Sequence, residues 1–504
     1  MFMLIFPDKT LRFRRLKSII VLAFSFFASL TFAENVSAQA LVTHGVAVGD
    51  VTTNSAVIWS RTDREATMYA HLEGGRTRPH SASIPVRATN DFTGKLVFKG
   101  LKPNTQYSYK LWFSNKPRND KNHVRGTFKT APASNDTSPI TFAWGGDVAG
   151  QNVCRDAQLG FPIFDTIKAM QPDFFIGLGD MIYADGICNE TGRYGNAQVK
   201  GKFIQSATLK DYWAHWKYNR EDRAYRELLS STPYYPIWDD HEVVNDFGPL
   251  HDTRSIAPYT EADHLLPKGL KAFLNYNPVE ENHLTPSRLY RNIRWGQHLE
   301  MIVLDNRQYR DANFNEDKEG QGKTMLGREQ LHWLKTRLKQ SDATWKVIVT
   351  TVPLSIPTGF PADKGRDGWA DFDQNTGFEQ ELLELMRHLR DEDVRNTVFI
   401  TTDVHFAEVF RYTPFSQTPD FQVHEYVTGP LNAGLFPNRD FDESLGTESL
   451  FFFGPESLSA VSTYEEAMKW MNFGAAEIDA EGNLTLSVRD VNGQVLYQAT
   501  HLAK

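Results

Sequence analysis

One stretch, Phe142 to Tyr183, constrains this chain more than any other: in it two apolar runs each end on a carboxylate. Ile140–Trp144 runs into Gly145-Gly146-Asp147, and Phe174–Leu178 runs into Gly179-Asp180. Between them, Ile163, Phe164, Ile167 and Met170 recur at the three- and four-residue spacing of a helix face. The pattern predicts a strand–helix–strand unit with one aspartate at the C-terminal end of each strand. Parallel sheets collect their ligands at that edge. Two carboxylates there are well placed to hold metal ions. Either aspartate alone reads equally well as an ordinary loop residue after a strand.

The later run ends move the reading toward a site. Tyr235–Trp238 is followed by Asp239-Asp240-His241-Glu242, with Asn245 three positions on. Val398–Thr402 is followed by Asp403-Val404-His405, and Met301–Leu304 by Asp305-Asn306-Arg307. Five strand ends thus offer carboxylates, histidines and one arginine to a single rim. Scattered strand-end aspartates are common, but carboxylates at five strand ends, two with histidine alongside, predict a metal centre.

At 504 residues the chain has room for two to three domains. A hydrophobic content of 41% with 23% charged residues is ordinary for a soluble globular protein. The net charge of −8 argues against nucleic acid as the main partner. Two cysteines, Cys154 and Cys188, make neither a disulfide scaffold nor a cysteine zinc site. Residues 1–40 read as a signal peptide: Arg12, Arg14, Arg15 and Lys17 precede the apolar core Ile19–Phe32, and Ala38-Gln39-Ala40 supplies the cleavage site. Thr31-Phe32-Ala33 is an earlier cleavage option, and an uncleaved anchor is the competing reading. The mature chain is expected to be periplasmic or secreted, with the export machinery as its first partner. The pair Arg14-Arg15 leaves the twin-arginine route open beside the general one. No later stretch approaches eighteen consecutive apolar residues, so no membrane span is expected in the mature chain.

Residues 41–132 read as an all-β domain. Ser55–Arg61 alternates as a half-buried strand, with further strands at Met68–Leu72, Lys95–Phe98 and Ser108–Phe113. Leu101-Lys102-Pro103-Asn104-Thr105-Gln106-Tyr107 resembles the tyrosine corner of fibronectin type III domains, with Tyr107 opening the penultimate strand and Trp59 as the buried tryptophan of the opposing core. Ala131–Ser138 reads as a linker. Residues 139–504 alternate strand-like runs with helical patterns at Asp211–Trp216, Glu329–Leu338 and Gly377–Leu389, which argues for an α/β layered domain. The tail, from Ala475 to Tyr497, turns β again.

Asp147, Gly179-Asp180-Met181-Ile182-Tyr183, Trp238–Glu242 and Asp403-Val404-His405 together resemble the calcineurin-like metallophosphoesterases. Leu304–Arg310 and Thr324–Gln330 narrow the resemblance to the alkaline phosphatase D (PhoD) family. It spans about Gly45 to Tyr497. It implies a fibronectin-III-like sandwich followed by a four-layer αββα metallophosphoesterase domain. It implies further that Asp180 bridges two metals, that Asp147, Tyr183 and His405 complete one site, and that Asp240, Asp403 and Asn245 complete the other. The first set suits Fe³⁺, and the second, all oxygen, suits Ca²⁺, with Zn²⁺, Mn²⁺ or Mg²⁺ as alternatives. Arg307 would clamp the phosphate, and His241 would stabilise the transition state or protonate the leaving oxygen.

Three departures bear on the metals. Ala149 stands where relatives have the histidine of D-x-H. Asp147 stands where well-studied members carry cysteine, and Thr350 and Thr351 replace the middle histidine of the superfamily. Cys154 and Cys188 lie in the loops after the first two strands; a disulfide, two free thiols, or Cys154 as a metal ligand all remain open. The reading is a metal-dependent hydrolase of phosphate monoesters or diesters, on small molecules or lipids, with nucleic acid only as a substrate. A phospholipase D-type diesterase of the same family is the alternative, and a non-catalytic exported binding protein the rival of another class. Tyr194, Tyr212, Trp213, Trp216 and Trp369 are either pocket-lining or core.

Overall fold

The computed structural model describes residues 40–504, apart from 76–79, 116–121, 250–251, 253, 255–256, 258, 261–263, 360–365, 371–375 and 438–439. The expected signal peptide lies outside the described residues except for Ala40. No helix among the described residues is long and apolar enough to cross a membrane.

The first seven strands are β1 (Val42–Gly49), β2 (Ser55–Thr62), β3 (Ala66–Gly74), β4 (His80–Val86), β5 (Thr93–Lys99), β6 (Gln106–Ser114) and β7 (His123–Lys129). They form the N-terminal β-sandwich. One face is a separate sheet of order β4-β3-β6-β7, and the other is β1-β2-β5. Tyr107 is buried and its hydroxyl accepts from the Lys102 N–H at 3.0 Å, the bond a tyrosine corner requires. β2 differs from its expected half-burial. All eight of its residues are buried, with Trp59 packed against the helical residues Tyr276 and Arg220. Its polar residues are matched accordingly: Ser60 Oγ donates to Gly45 O at 2.8 Å, and Arg61 donates to both oxygens of Asp91.

The chain continues through β8 (Ile140–Gly145), α1 (Ile163–Ala169), β9 (Phe174–Leu178), α2 (Leu209–Arg220), α3 (Arg223–Ser231), β10 (Tyr234–Ile237) and α4 (Leu266–Tyr276). Next come β11 (Arg291–Trp295), β12 (Leu299–Val303), α5 (Gly327–Gln340), β13 (Trp345–Val349), α6 (Glu379–Asp391), β14 (Thr397–Thr401), β15 (Ala407–Tyr412), β16 (Val423–Val427) and β17 (Thr447–Phe453). The tail holds α7 (Tyr464–Met468), β18 (Asn472–Ile478), β19 (Leu484–Asp490) and β20 (Val495–His501). Two large sheets result. One has the order β20-β19-β18-β8-β9-β10-β1-β2-β5, and the other β11-β12-β13-β14-β16-β15-β17. The sandwich face β1-β2-β5 therefore prolongs the catalytic sheet, through a parallel pairing of Gly49 with Tyr234.

Alternation inside the second sheet shows the layering. Met301, Val303, Val347, Val349, Val398 and Ile400 join the core shared with the first sheet. Their neighbours Ile302, Leu304, Ile348 and Phe399 join Leu334, Leu338, Leu382 and Leu389 of α5 and α6 in a second core. Each strand is thus apolar on both faces, as a sheet covered on both sides requires. This is the α/β arrangement expected. β8, β9 and β10 pair in parallel, as do β12, β13, β14 and β16. Their C-terminal ends point to one rim.

Candidate metal centre

Aspartates from the ends of three parallel strands meet at this rim. Carboxylate oxygens of Asp180 after β9, Asp239 and Asp240 after β10, and Asp403 after β14 all lie within 4.8 Å of one another. Asp180, Asp240 and His241 form an overlapping group by the same measure. Beside them, the Tyr183 hydroxyl lies 2.7 Å from His405 Nε2 and 3.5 Å from Asp147 Oδ1, and His405 Nε2 lies 3.7 Å from that oxygen. Thr402 Oγ1 donates to the other oxygen of Asp147 at 2.7 Å.

The loops that present these groups are bent in a way that L residues avoid. Asp147, Asp180, Asp403 and His405 have φ of 62°, 51°, 81° and 61°. Each such residue costs on the order of 1–3 kcal/mol and persists only where its surroundings over-determine it. Gly179, at φ 99°, has no room for a side chain: a Cβ there would meet the Cβ of Asp239 at 2.6 Å. Glu242 supplies part of the determination. Its carboxylate accepts from the N–H groups of Asp180 at 3.0 Å, Met181 at 2.7 Å and Asp239 at 2.8 Å. It thereby ties the loop after β9 to the loop after β10.

The electrostatics are those of a site built for cations. Burial, with the neighbouring carboxylates adding to it, pushes Asp147 up to about 7 and raises Asp180 and Asp403 well above the usual carboxylate range. Burial likewise pushes Glu242 up to about 8. Asp180 Oδ2 and Asp239 Oδ2 are buried without a hydrogen-bond partner. Four carboxylates brought this close, with oxygens left over, fit hard metal ions by the chemistry of the donor set.

Of the residues singled out in the sequence, Asp147, Asp180, Tyr183, Asp240, Asp403 and His405 come together. Asn245 is exposed, and its backbone N–H donates to Asp185 Oδ2 at 3.0 Å. Arg307 is fully buried behind the carboxylates. Its Nε donates to Asp239 Oδ1 at 2.6 Å and Nη1 to Asp367 Oδ2 at 2.8 Å, while Nη2 lies 3.8 Å from Asp240 Oδ1 and has no hydrogen-bond partner. His241 is the partly exposed member, its ring tilted against Tyr183 with centroids 4.2 Å apart.

Asp305, expected at the rim, turns away from it. Its Oδ1 accepts from Trp238 Nε1 at 3.0 Å and from the N–H groups of Arg307 and Gln308 at 3.1 Å. The missed contributors are Asp239, Asp185, and a third group in which Asp246 and Asp367 join Asp240. The doubled aspartate of Trp238–Glu242 was the signal for Asp239. Nothing local marks Asp367, which Arg307 and Arg310 hold at about 2 against burial. Cys154 and Cys188 form a disulfide, with Cα atoms 5.8 Å apart, which removes Cys154 from the metal ligands. Tyr194, Tyr212, Trp213, Trp216 and Trp369 are all buried and belong to the core.

Comparison with known proteins decides the family. The model of the PhoD-like phosphatases matches residues 142–488, and that of the PhoD-like phosphatase N-terminal domain matches residues 28–132. The chain belongs to the PhoD-like phosphatase family. It is 26% identical over 401 residues to alkaline phosphatase D of Bacillus subtilis (strain 168). That match covers 72% of this chain and 64% of the relative, so the chain aligns with less than two thirds of that protein's length. The solved structure of PhoD superposes with a TM-score of 0.70 at 19% identity, over 92% of this chain and 90% of that one. The purple acid phosphatase PPD1 from yellow lupin (Lupinus luteus) seeds superposes with a TM-score of 0.57 at 15% identity, over 90% of this chain and 73% of its own. These superpositions bear on the fold, a metallophosphoesterase fold.

Proposed function

We propose that the protein is an exported, metal-dependent phosphoesterase that hydrolyses phosphate monoesters, diesters or both. The observation that carries this reading is the convergence of Asp180, Asp239, Asp240 and Asp403 within 4.8 Å, beside the set Asp147, Tyr183 and His405. Family membership supports it. Asp180 is shared between two cation sites in this reading. Asp147, Tyr183 and His405 hold one ion, for which a phenolate, a carboxylate and an imidazole favour Fe³⁺. Asp239, Asp240 and Asp403 hold the other, an all-oxygen set that favours Ca²⁺ or Mg²⁺. Such a pair, when bound, supplies Lewis-acid charge and an acidified water.

The protein's own groups do the rest. Arg307, buried and pinned by Asp239 and Asp367, sets a fixed positive charge behind the carboxylates. Its planar fork cannot lose its charge, so that charge persists at any working pH. His241, at the partly exposed side, faces the departing oxygen. The basic and apolar N-terminal pattern supports export to the periplasm or beyond.

The test is hydrolysis of a bis-aryl phosphate diester and the matching monoester by the purified protein supplied with Fe³⁺ and Ca²⁺. Turnover that a chelator removes and that Asp180→Asn abolishes supports the reading. The ratio of the two rates then fixes the ester class. No turnover of either substrate, with metal demonstrably bound, sinks it.

A further inference from the structure

Helices α5 and α6 share the second core, and His388 Nε2 of α6 lies 3.0 Å from the Lys335 carbonyl of α5. A cleft of about 510 Å³ opens between them, and none of the carboxylates of the metal centre lines it. Helix periodicity puts Arg328, Leu331, His332 and Lys335 on one face of α5, and Glu384 and Arg387 on one face of α6. The loop before α5 supplies the rest of the lining. Its Gly320 and Gly322 have φ of 81° and 71°, which favours glycine, and a Cβ on Gly322 would meet Arg328 Nη2 at 3.2 Å.

The charges around this cleft do not balance. Lys335 is paired with Glu384. Glu381 is committed to the loop: its carboxylate accepts from the N–H groups of Met325 at 3.0 Å and Leu326 at 2.9 Å, and from the Thr324 hydroxyl. The side chains of Arg328, His332 and Arg387 have no hydrogen-bond or ion-pair partner among the described residues. Glu319, exposed and likewise unpaired, is the only lining carboxylate left to offset them. One exposed arginine is an ordinary surface residue. Two on neighbouring helices facing one cleft repel each other over a distance that salt screens only in part, and an anion between them relieves that repulsion. This excess of cations stands in a chain whose net charge is −8.

We propose that the cleft between α5 and α6 is a second ligand site, which takes a small molecule carrying a phosphate group. Arg328 and Arg387 grip the phosphate, because a guanidinium fork matches two of its oxygens and keeps its charge. His332 adds a further donor. The volume falls within the range of about 300–1,000 Å³ typical of small-molecule sites and exceeds what a bare phosphate fills. Leu331 offers an apolar wall to the rest of the ligand. The site stands apart from the phosphoesterase reading, which rests on the metal centre alone.

The experiment titrates the metal-loaded full chain with 4-bromophenylphosphonate, a phosphonate with no ester bond to hydrolyse, and follows binding by calorimetry. Two binding events are expected, one at the metal centre and one in the cleft. Asp180→Asn should remove the first and leave the second. Arg387→Gln should weaken the second roughly 10- to 100-fold, the range for hydrogen bonds to a charged group, and the double variant Arg328→Ala, Arg387→Ala should remove it. Both arginines are exposed, so neither substitution opens the core. In crystals grown with the same compound, the anomalous signal of bromine should lie between α5 and α6. A single event that Asp180→Asn abolishes and the arginine variants leave unchanged overturns the proposal, as does bromine signal at the metal centre alone. Sulfate binding the cleft as tightly as the phosphonate also overturns it, since the body of the ligand would then contribute nothing.

Discussion

Glu242 shows how a residue outside the carboxylate cluster can decide whether the cluster exists. Three backbone N–H groups from two loops end on its carboxylate, and two of them belong to Asp180 and Asp239. Glutamine has nearly the same shape but only one accepting oxygen, and its amide nitrogen would face an N–H group. Glu242→Gln is therefore expected to cost about 1–3 kcal/mol of stability, from buried donors left unpaired. It should also weaken metal binding by roughly 10- to 100-fold, the range for a group that orients ligands without touching the ion. Chelator competition measures the second effect, and an affinity equal to that of the unmodified protein would contradict it. At this scale the sequence was informative only in part. Run ends marked Asp147, Asp180, Asp240, Asp403 and His405, because a parallel sheet sends its strand ends to one rim. It could not say that Asp305 folds back on Trp238 while Asp239 joins the cluster, since neighbouring residues in a turn point wherever local hydrogen bonds send them.

Elements with a clean period were legible, and those without one were not. β8, α1 and β9 follow directly from their apolar spacing. α4 did not, because Gly269 and Pro267 sit inside it. Gly269 is there for packing: a Cβ would meet Val243 at 2.7 Å and the Glu242 carbonyl at 2.9 Å. α2 backs the loops of the site and carries a buried histidine. His215 is 4% exposed, lies tilted against Phe203 with ring centroids 3.9 Å apart, and has Nε2 3.0 Å from the Ile204 carbonyl. Burial lowers its pKa to about 4, against about 6.5 when unfolded. Between those values the unfolded chain binds the extra proton, so stability falls as pH drops below about 6.5 and stops falling near 4. The contribution is about 1.4 kcal/mol per pH unit in that window. His215→Gln should flatten this part of the stability–pH curve, measured by denaturant unfolding at pH 7, 6 and 5. A variant with an unchanged slope would mean that other groups set the acid limit.

Across the whole molecule, composition and the polar stretch Ala131–Ser138 suggest a sandwich tethered beside a catalytic domain, yet the described residues form one compact unit. β1 is a strand of the sandwich and also a neighbour of β10, which carries Asp239 and Asp240 at its end. The seam is polar, buried and specific. Trp59 Nε1 donates to the Asn275 carbonyl at 2.7 Å, and Tyr109 donates to the Ser230 carbonyl at 2.8 Å. Asp91 sits at its centre, taking two bonds from Arg61, one from the Tyr276 hydroxyl, and the Lys217 ammonium at 3.1 Å. Removing one side of such a buried pair leaves an uncompensated charge, so Asp91→Ala is expected to cost about 3–5 kcal/mol. The solvent-screened pair Arg64–Asp63, by contrast, should contribute little. Because Arg61 lies on β2 and Tyr276 on α4, the loss should lower the unfolding temperature of residues 40–504 as a single transition. Calorimetry of Asp91→Ala decides between the two pictures. One displaced transition means that the sandwich is part of the scaffold that holds the carboxylates in place. A new low-temperature transition, with the catalytic part melting where it did before, would mean that the sandwich is only appended to it.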